Sequence, residues 1–218
     1  MKKKLIVDIL MFILMLLEFS RMFTGALIHE LIGIVLLILV IIHLILNKKY
    51  ILNIPKAKYN LNNILMLIIN ILLILSFLLT IVFGILSSQE TLTFLNIHNL
   101  SIIKLHKILG NISLIIIGIH LGINFNSMFG KIIKLIKNNI VNYILGIIII
   151  VLGIYSSIKV DLIKHVIGEY GFGIKEGNII INTLEYLSII MMITIIINYI
   201  YKRIGERNER KEKYNNLF

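Results

Sequence analysis

HELIGIVLLILVIIHLILN, residues 29–47, and HKILGNISLIIIGIHLGIN, residues 106–124, are two copies of one pattern. Both obey H-x3-G-x9-H-L-x2-N, and both lie in apolar runs long enough to cross a bilayer, which takes about 20 residues. An ionisable side chain inside such a run is costly and usually marks function rather than packing. Here four histidines, His29, His43, His106 and His120, stand in two matched pairs. Histidine is also the side chain that most readily ligates a metal or haem iron. The pattern predicts an all-α, polytopic membrane bundle that carries two haems between two of its helices.

Composition agrees with a membrane class. The 218 residues are 58% hydrophobic and 15% charged, with one proline, and the mean hydropathy is +0.96. A soluble domain is nearer 45–50% apolar and about 25% charged. The formal net charge of +11 does not point to nucleic acid, because the basic residues fall in the gaps between apolar runs. There is no cysteine, which excludes disulfides, thiolate-ligated iron–sulfur clusters and covalent c-type haem attachment. No Gly-rich phosphate loop or dinucleotide fingerprint occurs.

Six segments approach the length of a span: 5–22, 26–46, 63–86, 103–124, 139–158 and 179–201. The start, Met1 to Lys4 and then Leu5 to Leu17, resembles a secretory signal but has no small-residue cleavage site, so it is expected to stay as a first helix. A tight turn at Thr24-Gly25 follows it. With both termini on one side, that side holds sixteen Lys and Arg against six on the other. The positive-inside rule then makes the protein a multi-pass cell-membrane protein with both termini cytoplasmic.

This topology runs the second and fourth helices in the same direction. His29 and His106 then share the outer level, His43 and His120 the inner. Histidines 14 residues apart on a helix lie within roughly 40° of one face and roughly 21 Å apart along the axis. That suits one haem per leaflet, each clamped between one histidine from either helix. Gly33 and Gly110 follow the outer histidines on the same face, where a missing side chain leaves room for a flat macrocycle. Gly118 and Gly122 are expected to do the same beside His120. Arg21, Lys104 and Lys107 stand at the outer helix ends, where haem propionates would emerge, and Lys48 and Lys49 are their inner counterparts.

Two other readings compete. Membrane histidines can simply bond across helices and support packing, but four in duplicated spacing with duplicated glycines argue against that. A metal permease would bring three or four ligands, often carboxylates, around one ion. The two levels are too far apart to share an ion, and the only acid adjacent to any of these histidines in the chain is Glu30. His98 and His165 fall in outer loops and read as solvated residues. The stretch Val160 to Asn178, rich in glycine, reads as a flexible connector, and Lys202 to Lys213 as a charged helical extension.

With these residues placed, positions 1–126 resemble the small membrane cytochromes of the DUF4405 family, the flavinylation-associated cytochromes. That family is itself similar to cytochrome b561-type and ferric-reductase-like haem bundles. The matching residues are Thr24-Gly25, His29, Gly33 and His43, then Phe83-Gly84, His106, Gly110 and His120. The resemblance implies that the four histidines are axial ligands of two haems b, and that the partner is an extracytoplasmic flavoprotein carrying covalent FMN. This chain differs in lacking tryptophan and in adding residues 127–218, with two further helices expected to pack beside the four-helix core. It has no flavin-attachment sequence. The expected function is transmembrane electron transfer from a quinol or cytoplasmic donor to an outer acceptor, as a carrier or as the membrane subunit of an oxidoreductase. A quinone or ferric reductase subunit is the alternative, and a haem-free permease or scaffold the second.

Overall fold

The computed structural model describes residues 2–54, 60–97, 99–130, 138–169 and 178–215. His98, the stretch 170–177 and the basic residues Lys56, Lys58, Lys131, Lys134, Lys137 and Lys175 lie outside it, as do the side chains beyond residue 206. All regular structure among the described residues is helical. The long helices are α1 (Lys2–Glu18), α2 (Ala26–Leu46), α3 (Leu61–Leu86), α4 (Leu100–Ile123), α5 (Asn139–Lys159) and α6 (Ile179–Asn215).

Asparagine sets many of the boundaries. Asn60, Asn99 and Asn138 each accept a bond from a backbone N–H in the first turn of α3, α4 and α5, and Asn178 does so for α6. This satisfies donors that a helix start otherwise leaves orphaned. The asparagines closing the two sequence repeats work at the opposite end. Asn47 and Asn124 are C-caps whose side-chain amides donate, each at 2.9 Å, to the carbonyls of His43 and His120.

Helices α2 to α5, and α6 over Ile179–Glu206, are long and apolar enough to cross a membrane, and they expose many large apolar side chains. Ile38, Leu75 and Ile147 are each more than half exposed, as expected of side chains that meet lipid instead of water. The first expected span, 5–22, is cut short. Helix α1 stops at Glu18, and Arg21–Thr24 forms a separate helical turn. Ser20 at the break is fully buried and tied to the start of α6, with its hydroxyl 3.0 Å from that of Thr183 and accepting from Asn182 Nδ2 at 3.0 Å. Gly25 then turns the chain at φ +83°, a conformation that favours glycine.

The last two helices were expected beside a four-helix core, but α6 lies at the centre. It packs on α5 and α4 along their lengths and also touches α1 and α3. Its Ile189, Ile190 and Thr194 are completely buried, and the two isoleucines cluster with Leu16, Leu114, Leu121 and Tyr186. The reason lies in Gly118 and Gly122. A Cβ at Gly118 would come within 2.8 Å of Ile193, and one at Gly122 within 2.7 Å of Ile197. These glycines let α6 approach, a small-residue seam of the kind that membrane helices use, and do not face the space expected for an inner haem. Of the expected connector, residues 160–169 are described, and most of them are helical and packed. Val160 is buried, Leu162–Ile167 forms a short helix against α4 and α5, and His165 belongs to that helix instead of a loop.

The remaining packing leaves two halves. Helix α1 pairs with α2, and α3 pairs extensively with α4, whereas α2 and α4 have little close backbone contact along their lengths. The backbones of the repeat-bearing helices therefore stand apart, and the gap between them is bridged by side chains, among them the rings of His29 and His106.

Candidate functional site

At one end of that gap, His29 of α2 and His106 of α4 meet with ring centroids 5.9 Å apart and planes at 84°. Their surroundings follow from the helices on either side. His106 points its Nδ1 at the Thr80 carbonyl, 2.9 Å away on α3. Gly84, one turn later on α3, makes this possible, since a Cβ there would press on His106 Cε1 at 3.0 Å. His29 turns its Nδ1 to Glu18 Oε2 of α1 at 2.9 Å, a close contact off the line of an aligned hydrogen bond. The other carboxylate oxygen of Glu18 is buried with no partner among the described residues.

At the other end, His43 Nδ1 bonds Asp8 Oδ1 of α1 at 2.7 Å, and His120 Nδ1 bonds Asn70 Oδ1 of α3 at 2.9 Å. His43 and His120 lie within electrostatic reach of each other. Three of the rings are thus held from behind by an acceptor on a neighbouring helix, and His29 faces a carboxylate there. A bonded Nδ1–H fixes the tautomer and leaves Nε2 with its lone pair. Three of the Nε2 atoms have no protein bond described, while that of His43 receives Asn47 Nδ2 at 3.2 Å. Asn47 in turn accepts from Lys4 at 3.0 Å, and Asn70 donates onward to the Tyr50 hydroxyl at 3.0 Å.

Glu30, the acid next to His29 in the chain, has a different task. Its carboxylate accepts backbone N–H bonds from Gln89 at 2.6 Å and Thr91 at 2.7 Å, a longer one from Glu90, and bonds from the Ser88 and Thr91 hydroxyls. It fastens the α3–α4 loop to the start of α2 and so holds His29 and His106 at one level. Arg21 supports the same loop, donating to Gln89 Oε1 at 2.9 Å, and lies within electrostatic reach of His106.

Asp8, Glu18, Asn70 and Thr80 are the residues that sequence reasoning missed. The signal for the acids was present: both interrupt an apolar helix, the same cost that drew attention to the histidines. Adjacency along the chain favoured Glu30, whereas adjacency in space belongs to α1.

The arrangement fits a haem iron at the His29 end. Two imidazole nitrogens on one metal, each about 2 Å away, put the ring centres about 6 Å apart, and a shared iron constrains that distance but not the angle between rings. A Cβ at Gly33 or Gly110 would meet nothing within 4 Å, so no neighbouring group packs on either glycine. Among the described residues no three His, Asp or Glu side chains converge as a metal-ion cage would require. Two nitrogen ligands per level suit a macrocycle that supplies the other four. Comparisons with protein families, with curated proteins and with solved structures gave no match.

Proposed function

We propose that the chain is a dihaem b-type membrane cytochrome that passes electrons across the bilayer. One observation carries this reading: all four repeat histidines turn Nδ1 toward an acceptor on another helix, which readies Nε2 for metal. A packing histidine needs any bond it can make; three rings bonded through the same nitrogen, and a fourth turning that nitrogen to a carboxylate, are oriented for ligation. His29 and His106 would hold the outer haem, and His43 and His120 the inner. A haem iron held by two imidazoles at each level would supply one-electron transfer and not substrate chemistry.

The chain's own residues provide the frame. Thr80, Asn70, Asp8 and Glu18 orient the rings. Asn47 keeps its bond to the His43 carbonyl when Nε2 is taken, so ligation there costs only the longer of its two bonds. Gly33 and Gly110 leave the gap open, and Arg21 with Lys107 offers positive charge to propionates at the outer end. In this reading α1 is the sixth span, shorter than the rest, and the Lys and Arg count puts both termini in the cytoplasm of a cell-membrane protein. The donor is a quinol or a cytoplasmic reductase. The acceptor is an outer redox partner, of which a flavoprotein bearing FMN is the expectation from the resemblance.

Level-by-level mutation tests this. His29→Ala and His106→Ala should each delete one and the same component of the reduced-minus-oxidised spectrum, and His43→Ala and His120→Ala the other. If His29→Ala and His120→Ala removed the same component, the pairing would be wrong.

A further inference from the structure

The four partners behind the histidines are of two chemical kinds. On α4, His106 and His120 face neutral acceptors, the Thr80 carbonyl and the Asn70 amide oxygen. On α2, His29 and His43 face carboxylates, Glu18 and Asp8. Both acids come from α1, ten residues apart. Each level therefore has one ring backed by a carboxyl group and one backed by a neutral dipole. Both acids are less than one-third exposed, Asp8 at 28% and Glu18 at 18%, so solvent screens them only in part.

Resting on the dihaem reading, we infer that α1 is a tuning helix: Asp8 and Glu18 set the redox potential of the iron at their own level through the histidine that each contacts. A carboxylate at Nδ1 makes the imidazole a stronger electron donor, and its charge favours the ferric over the ferrous state. Two features favour charge over mere orientation. The Thr80 carbonyl and the Asn70 amide show that a neutral acceptor suffices to orient a ring. Among the described residues neither acid shares a salt bridge with a lysine or arginine: Lys4 donates to Asn47 Oδ1 and Arg21 to Gln89 Oε1, with Arg21 still within electrostatic reach of Glu18. Asp8 and Glu18 are positioning and tuning residues, since neither touches the reacting metal.

The test is potentiometric titration of the purified wild type and of Asp8→Asn, Glu18→Gln and Asn70→Asp. The first two keep an acceptor oxygen and remove the charge, and the third adds a charge behind His120. Asp8→Asn should raise the potential of the component that His43→Ala removes, by a tenfold or larger change in equilibrium constant, about 59 mV for one electron. Glu18→Gln should raise only the component that His29→Ala removes, and Asn70→Asp should lower the inner one. Haem-loaded variants with wild-type potentials, or shifts at the wrong level, overturn the inference while leaving the dihaem reading intact. If Asp8→Asn lost its inner haem, Asn70→Asp would decide for that level alone. Wild-type protein without haem overturns both.

Discussion

Gly84 governs whether His106 can reach the Thr80 carbonyl, because any side chain there would occupy the place of the imidazole. Gly33 is the opposite case, with open space where its Cβ would be. Leucine at these two positions should therefore act differently. Gly84→Leu displaces the ring, so it should abolish the outer spectral component and also lower thermal stability, by about 1–3 kcal/mol for an overpacked contact. Gly33→Leu should leave stability nearly unchanged but reduce outer haem content, since its side chain enters the gap instead of a packed seam. Spectra and thermal unfolding in detergent, followed together, check both; a Gly33→Leu protein with a full outer component would refute a macrocycle beside that residue. The histidines and Gly33 were legible in the sequence because intramembrane ionisable residues are rare and the spacing repeats. Their partners were not, because a hydrogen bond between helices depends on rotation and register, which neither helix encodes alone. Asp8 reaches His43 across 35 positions of chain, and no spacing rule anticipates that pair.

Among the elements, α6 shows why the role of the added helices was hidden. A soluble helix betrays its buried face by an apolar stripe, but a helix apolar on all sides carries no such stripe. Ile189 and Ile190 are fully buried while Ile196 and Ile200 are exposed, and nothing in a run of isoleucines separates them. Gly118 and Gly122 suffered from the same ambiguity, since a glycine beside His120 serves either a cofactor or a helix seam. Their approach to Ile193 and Ile197 assigns them to the seam. Gly118→Leu and Gly122→Leu are thus expected to destabilise the bundle by about 1–3 kcal/mol each through overpacking, measured by thermal unfolding in detergent. Selective loss of the inner spectral component with unchanged stability would instead return these glycines to the cofactor.

For the molecule as a whole, the helical class and five of the six expected membrane-length helices were legible from hydropathy, while the break after Glu18, which shortens the first expected span, was not, because Phe19-Ser20 reads as apolar enough to continue. The break matters to the site: it returns the chain through Gly25 so that α2 lies against α1 and both acids face its histidines. On the proposed dihaem reading, two levels separated by roughly 21 Å along a helix would make a two-station relay, with a redox partner at each face. In sealed, oriented vesicles, His29→Ala should stop electron transfer from an inside reductant to an outside acceptor, read as haem reoxidation by stopped flow. Transfer at the wild-type rate would favour a terminal reductase working from one centre.

Every part of this account depends on the four histidines holding two haems, and haem stoichiometry tests that most directly. A pyridine haemochrome assay on the full chain, purified from haem-sufficient cells and referred to protein by amino-acid analysis, should give about two haems b per chain, falling to about one in either His29→Ala or His43→Ala. A folded wild-type protein that contains no haem would contradict the account.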